Sequence, residues 1–319
     1  MTRPTIAVYA ITKDESARLA RMLKSTEGAD LVVVCDTGSS DDSIQVARDF
    51  GAQVHQITVK PWRYDTARNV AMALIPDNID LCMRLDTDEL LCAGWREAID
   101  RAYDPKVPRY QYLQITEGTW WHKVLRNDLH RRHGFFWRYP THEILDGPHT
   151  AKFLDDLWVD HLTDLSKPRP NLDILHAEVL RDPFDTRMAF YYARELVGFG
   201  MRDEARTQLQ RFIAMDHAWA TEKGEAYRLY AQLDNNPEHW LWKAIAEDSL
   251  RREPFADMAR LFHRQGQIGK AAAMYAIASS RTDVKRYITS YDCWGEPWDD
   301  FGRELGLLPE RNSDETPQP

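Results

Sequence analysis

The chain is 319 residues long, 43% hydrophobic and 29% charged, with a formal net charge of −9. That length accommodates two domains with a core each, and the composition is that of a globular protein rather than a disordered one. The acidic balance weighs against a nucleic-acid partner held by bulk electrostatics. The four cysteines, Cys35, Cys82, Cys92 and Cys293, form no C-x-x-C pair, which excludes a zinc ribbon and a dithiol redox motif. Cys35 and Cys82 sit in apolar runs and read as small buried hydrophobes in a reducing compartment. The apolar runs are far shorter than a membrane span, and Met1-Thr2-Arg3-Pro4 lacks signal-peptide architecture, so a cytoplasmic location is expected.

Along the first half, strand and helix patterns alternate. Ile6 to Ile11 reads as a buried strand. Asp14 and Ser16 offer helix caps, Leu19, Met22 and Leu23 follow at helical spacing, and Gly28 is a stop. Leu31 to Cys35 is a second strand, running into the polar turn Asp36-Thr37-Gly38-Ser39-Ser40-Asp41-Asp42. A helix carrying Ile44, Ala47 and Phe50 ends at Gly51, and Val54 to Val59 is a third strand. A helix over Thr66 to Ile75 precedes a fourth strand, Ile79 to Leu85, which ends at Asp86. This order predicts an α/β domain with a parallel sheet covered on both faces, whose ligands bind at the C-terminal strand ends.

From Pro108 the pattern changes to short aromatic-rich strands around Tyr110 to Ile115, Trp121 to Leu125, Phe135 to Trp137 and Leu157 to Val159. Pro168-Arg169-Pro170 reads as a linker, which sets a catalytic domain at 1–167. The remainder is helical. Ala193 to Ala205 and Ala259 to Ala271 resemble one another, each meeting a glycine turn (Gly200, Gly266), at an offset close to two tetratricopeptide units. A tetratricopeptide-like domain is therefore expected over 168–305, with a polar, disordered tail at 306–319.

The candidate chemistry centres on Asp86-Thr87-Asp88-Glu89. Acidic residues at a strand end lie at the ligand-binding edge, and Asp86 and Asp88 share a face if the strand continues through them. Their mutual repulsion would be relieved by a hard divalent ion, Mg²⁺ or Mn²⁺, which in turn holds a diphosphate. Asp36-Thr37-Gly38-Ser39 also suggests an aspartic protease. That chemistry needs a second aspartate sharing the proton, and no second Asp-Thr-Gly exists.

Taken together, these motifs resemble family 2 glycosyltransferases. The matching stretches are Ile6-Ala7-Val8-Tyr9-Ala10-Ile11-Thr12-Lys13-Asp14-Glu15, Val32 to Asp42, Ala67-Arg68-Asn69 and Leu85-Asp86-Thr87-Asp88-Glu89, in the family's order, followed by His142-Glu143. A helical-repeat tail is common in the branch that includes bacteriocin S-glycosyltransferases. The resemblance implies a GT-A (nucleotide-diphospho-sugar transferase, Rossmann-like) domain followed by an all-α tetratricopeptide-like domain. It implies that Asp36 binds the base or ribose, with Ile11, Lys13 and Glu15 lining the same pocket and Thr87 in the donor-binding set. Arg68 would pair with the diphosphate or orient Asp86. Asp86 would approach the ribose and a metal-bound water, and Asp88 would ligate the metal. The sequence departs from the family at Asp14, where Asn is usual, and at Lys13, where many members carry Tyr.

His142-Glu143 follows the aromatic segment Phe135 to Pro140. A carboxylate in such a pocket can serve as general base toward an acceptor hydroxyl or thiol; the alternative is that Glu143 orients Arg138 or Arg126. His161 closes the last strand of the catalytic domain, where transferases of this fold often place a further metal ligand, and imidazole suits Mn²⁺ better than Mg²⁺. Lys123, Arg126, His130, Arg131, Arg132, His133 and Arg138 form a dense basic stretch, readable as a solvated loop, a diphosphate clamp through Arg126, or a surface for an anionic acceptor.

The expected activity is a metal-dependent inverting transfer from a nucleotide-sugar, UDP-linked by family preference. The acceptor is a glycan, a peptide side chain or a modified DNA base. The alternatives are a nucleotidyltransferase of similar fold, whose Gly-rich loop is missing from Thr12 to Ala20, and a peptide-binding repeat scaffold with a non-catalytic first domain.

Overall fold

Three apolar runs become β1 (Ile6–Thr12), β2 (Leu31–Asp36) and β4 (Leu81–Arg84), and the more polar edge strand β3 (Gln53–Gln56) joins them; they pair in parallel in the order β3-β2-β1-β4. The computed structural model describes residues 3–116, 123–162, 171–282 and 290–310. The inner part of this sheet is covered on both faces, so β1, β2 and β4 read as largely apolar runs. From β1, Ile6, Val8 and Ala10 join a core with α1 (Ser16–Ser25), α2 (Ser43–Asp49) and α4 (Trp95–Ala102) through Leu19, Met22, Ala47 and Ile99. The alternate residues Ala7 and Tyr9 join the opposite core, with Ala71 and Met72 of α3 (Tyr64–Ala73).

The parallel order expected for the first-half strands holds for β1 to β4; beyond β4, where the sequence pattern carries no strand direction, the sheet becomes mixed. β7 (Lys123–Arg131) runs antiparallel to β4, followed by β6 (Arg109–Thr116), β10 (Ala151–His161) and the short β5 (Glu89–Leu91). The result is an eight-stranded mixed sheet, β3-β2-β1-β4-β7-β6-β10-β5, with a separate ribbon of β8 (Phe136–Arg138) and β9 (Ile144–Asp146). Strands as short as β5 and β9, three residues each, are too brief to show a periodicity.

The start of α1 also differs from expectation. Asp14 and Ser16 do not cap it; Asp41 Oδ2 accepts the Ser16 N–H at 2.9 Å, and Ser43 Oγ accepts that of Glu15 at 2.9 Å. Asp14, with φ 53°, instead accepts the Ser40 N–H on Oδ1 at 2.6 Å. The two loops at the C-terminal ends of β1 and β2 therefore cap each other.

The chain divides into two compact units, Met1–Pro168 and Arg169–Pro319. The second contains α5 (Asn171–Arg181), α6 (Thr186–Gly198), α7 (Arg202–Ile213), α8 (Ala220–Ala231), α9 (Pro237–Glu247), α10 (Glu253–Arg264), α11 (Ile268–Ser279), a 3₁₀ turn (Tyr291–Cys293) and α12 (Gly295–Glu304). Helices pack as the pairs α6/α7, α8/α9 and α10/α11. Ala193, Ala226 and Ala259, spaced 33 residues apart, are fully buried in α6, α8 and α10, each presenting a small side chain to the packed face. Gly200 and Gly266 both adopt φ 71° at the turns after α6 and α10, a left-handed conformation that ends a helix at little cost to glycine. Residues 306–310 are part of this unit, with Leu307 N–H bonded to Gly302 O at 2.9 Å, so the expected disordered tail does not begin at 306; its remainder, 311–319, lies outside the described residues. Among the described residues, no helix is long and apolar enough to cross a membrane. The fold is a GT-A-type α/β domain followed by a tetratricopeptide-like helical domain.

Candidate functional site

The polar clusters collect at the C-terminal ends of β1, β2 and β4, where the strand order turns back on either side of β1 and an open α/β sheet forms its ligand crevice. Asp36 ends β2 and is fully buried. Its carboxylate accepts the N–H groups of Gly38 (3.0 Å) and Ser39 (3.2 Å), so it builds the turn of its own loop. Ile11 is half-buried at the end of β1, Lys13 is exposed, and Glu15 pairs with Arg18 at 3.4 Å. Thr87 is half-buried in the turn after β4.

Arg68, on the second turn of α3, is 5% exposed and reaches two of the singled-out acids. Its Nε donates to Glu143 Oε1 at 2.5 Å and its Nη2 to Asp86 Oδ1 at 2.8 Å. Its Nη1 is buried without a hydrogen-bond partner among the described residues. An unpartnered N–H on a buried guanidinium is costly unless a ligand completes it. Tyr64, one helical turn earlier, is held against the loop before Glu143 by its N–H to Pro140 O at 2.9 Å. Burial raises the Tyr64 phenol, and the nearby carboxylates of Glu143 and Asp86 add to that. Glu143 is thus tied to Arg68, not to Arg138 or Arg126. Arg138 bonds Asp146 Oδ2 at 2.9 Å, and Arg126 bonds Asp128 Oδ2 and Gln114 Oε1.

Arg84, the last residue of β4, meets Asp86 from the other side of the carboxylate. Its Nη1 donates to Asp86 Oδ2 (2.5 Å) and Glu89 Oε2 (2.9 Å), and its Nη2 to Asp128 Oδ2 (2.5 Å). Burial pushes the Asp86 carboxyl upward, but Arg68 and Arg84 outweigh it and hold the group well below the usual carboxylate range. Glu89 lies deeper; burial, opposed by Arg84 and reinforced by Asp86, raises it to about 7. β4 stops at Arg84, so Asp86 and Asp88 do not share a strand face. They lie on a turn closed by Glu89 N–H to Asp86 O at 3.0 Å.

Asp88 faces β10 instead. Its Oδ2 lies 3.6 Å from His161 Nε2, and its backbone oxygen accepts the Leu162 N–H at 2.8 Å. The Asp88 carboxylate raises the His161 imidazole, outweighing its burial. β5 pairs with β10 through Glu89 and His161, which fixes this meeting across the sheet edge. Among the described residues, no three His, Cys, Asp or Glu side chains gather into a metal cluster. Of the three expected ligands the structure brings together Asp88 and His161, while both oxygens of Asp86 are engaged by arginines. A carboxylate with an imidazole is a donor set for an ion that completes its shell with water and diphosphate oxygens.

Beneath the site lies a buried polar chain. Trp137 Nε1 donates to Tyr9 Oη (2.9 Å), which is 3.1 Å from His130 Nε2, and His130 Nδ1 is 2.7 Å from Arg131 O. The Arg68 and Arg84 guanidinium groups both approach the Trp137 ring, at 5.4 and 5.7 Å. The basic stretch of the sequence divides among different partners: His130 is buried in the core, Arg132 Nε binds Ile75 O, and Arg138 pairs with Asp146. Arg84, Asp128 and Tyr64 complete the site without having been singled out in the sequence for it, whereas Trp137 belongs to the aromatic segment noted before Glu143. The available signal was a charge at the end of the apolar run Leu81-Cys82-Met83-Arg84-Leu85.

No protein-family model matches the sequence. Over 113 residues, 34% of this chain, it is 36% identical to an uncharacterised glycosyltransferase of Rickettsia prowazekii (strain Madrid E), and the match covers 37% of that protein. Over 287 residues, 86% of this chain, it is 25% identical to a TPR repeat-containing protein of Synechococcus elongatus, of which the match covers 65%. Among solved structures, TarS of S. aureus aligns over 76% of this chain and 53% of its own, with 12% identity and a TM-score of 0.42. The chain therefore spans little more than a third of the Rickettsia protein and less than two thirds of the Synechococcus protein.

Proposed function

We propose that this chain is a glycosyltransferase that uses a divalent ion, Mn²⁺ or Mg²⁺, to move a sugar from a nucleoside-diphosphate donor, preferably UDP-linked, to an acceptor with inversion. The observation that carries this reading is the buried Arg68: two of its N–H groups are fixed by Asp86 and Glu143, and Nη1 has no hydrogen-bond partner among the described residues. A preorganised cation with a spare donor suits the charge that develops on a leaving diphosphate. The similarity to the Rickettsia glycosyltransferase supports the same class.

Asp88 and His161 would hold the ion, which when bound offsets the negative charge of the diphosphate. Asp86, gripped on both oxygens and with a third of its side chain reaching solvent, presents a fixed acceptor to the donor. Glu143 is assigned as the base. Arg68 takes Oε1, and Oε2 accepts the acceptor proton as the acceptor oxygen or sulfur bonds to the anomeric carbon and the bond to the diphosphate breaks. The acceptor class is a glycan, a peptide side chain or a modified DNA base, and the helical unit offers a surface for protein or peptide contact.

The test is release of nucleoside diphosphate from a panel of nucleotide-sugars with Mn²⁺ or Mg²⁺. Metal-dependent release from one donor, lost in Asp88→Asn, is expected. Release that persists undiminished in Asp88→Asn would remove the metal scheme.

A further inference from the structure

Arg84 is 3% exposed at the end of a strand otherwise made of Leu81, Cys82 and Met83, and it binds three carboxylates. Stability alone is a poor account of this arrangement. Burying a guanidinium with several acids costs enough desolvation that apolar residues of similar volume are often as stable or more so. What distinguishes Arg84 is what it holds. Its Nη1 takes Asp86 Oδ2 while Arg68 Nη2 takes Oδ1, so each oxygen of that carboxylate is fixed by a charge-assisted bond. The same Nη1 binds Glu89 Oε2, which accepts the backbone N–H of Asp86 at 2.9 Å, and Glu89 N–H closes the turn on Asp86 O. Side chain and backbone of Asp86 are therefore braced by one guanidinium. Nη2 on Asp128, itself held by Arg126, anchors that guanidinium to β7.

We infer that Arg84 is a positioning residue of the nucleotide-sugar site, acting on the donor through Asp86, whose carboxylate it fixes jointly with Arg68. The inference rests on the donor-site reading above. Lysine in its place carries the charge as a compact ammonium and lacks the planar fork that spans several carboxylates.

The experiment compares the wild-type chain, Arg84→Lys, Asp86→Asn and the double variant. Calorimetry at saturating Mn²⁺ gives the affinity for whichever of UDP, GDP, CDP and dTDP the wild type binds most tightly. The melting midpoint of each nucleotide-free protein is measured alongside. Arg84→Lys is expected to weaken nucleotide binding about tenfold, and to add nothing in the Asp86→Asn background, since both changes act through one group. A lowered melting midpoint with unchanged affinity would make Arg84 merely structural and overturn the inference. So would effects of the two substitutions that multiply. If Arg84→Lys does not fold, Asp128→Asn loosens the same guanidinium while leaving its charge, and unchanged nucleotide affinity in that variant is equally fatal. A wild type that binds none of the four nucleotides defeats the donor-site reading itself, a result distinct from selective failure of the Arg84 variants.

Discussion

Lowering the pH from about 7 to about 4.5 is expected to cost the first unit about 2 to 3 kcal/mol through His130 alone. The ring is fully buried. Its Nδ1 faces a carbonyl oxygen, which only accepts, so Nδ1 carries the proton; Nε2 then accepts from the Tyr9 hydroxyl, which in turn accepts from Trp137. A second proton on Nε2 would face a hydroxyl whose own proton already points at the ring. Burial lowers the imidazole from 6.5 to about 4, overriding the carbonyl of Arg131 and the charge of Asp128, which favour protonation. The folded unit thus binds fewer protons than the unfolded chain between these values. The stabilisation is complete above about 6.5 and is lost as pH falls toward 4, at about 1.4 kcal/mol for each tenfold difference in proton affinity between the folded and unfolded chain. Hydrogen-exchange protection of β1 and β4, compared between wild type and His130→Gln, isolates the effect because the other titrating groups are common to both. His130→Gln is expected to be the less stable at neutral pH, with the gap closing by about 2 to 3 kcal/mol at about pH 4.5. A gap that does not change with pH would refute the reasoning.

In the helical unit the sign is opposite. Burial raises Glu222 from 4.5 to about 7 against the pull of Arg187, so its contribution is full below about 4.5 and is lost as pH rises through 7. Calorimetric melting should find Glu222→Gln gaining about 2 to 3 kcal/mol over wild type between about pH 5 and pH 8. Glu143→Gln keeps an oxygen for Arg68 Nε while losing basicity, so turnover is expected to fall about 100-fold or more with donor affinity retained; calorimetry alongside nucleoside diphosphate release separates the two. Gly147→Ala should destabilise the β8–β9 ribbon by about 1 to 3 kcal/mol, read by urea unfolding. Gly147 has φ 148°, and a Cβ there would lie 2.5 Å from Phe135 Cδ1 and 2.6 Å from Gly134 O.

The sequence carried the first sheet strands and the repeat helices because long apolar runs and recurring buried alanines are periodic signals. Ile6 to Ile11 became β1 (Ile6–Thr12), and Ala193, Ala205, Ala259 and Ala271 all lie fully buried where their helices pack. The mixed part of the sheet was less legible. The strand segments around Tyr110, Trp121 and Phe135 carried no information about direction, and β5 and β9 are too short to register. At the site, residue types were visible but partners were not. Arg68, Asp86 and Glu143 stood out singly, yet their joining depends on a contact across 75 residues that no local pattern encodes. Arg84 was hidden by its apolar neighbours. Asp86 and Asp88 were expected on one face, and the end of β4 at Arg84 turned them to different partners, the arginines for one and His161 for the other.

The most direct measurement is calorimetric titration of nucleoside diphosphates into wild type and Asp88→Asn, with and without Mn²⁺. A metal-dependent donor site requires selective binding of one nucleotide that is strengthened by Mn²⁺ in the wild type and loses that strengthening in Asp88→Asn. Equal binding with and without the ion, or identical behaviour of the variant, would contradict it.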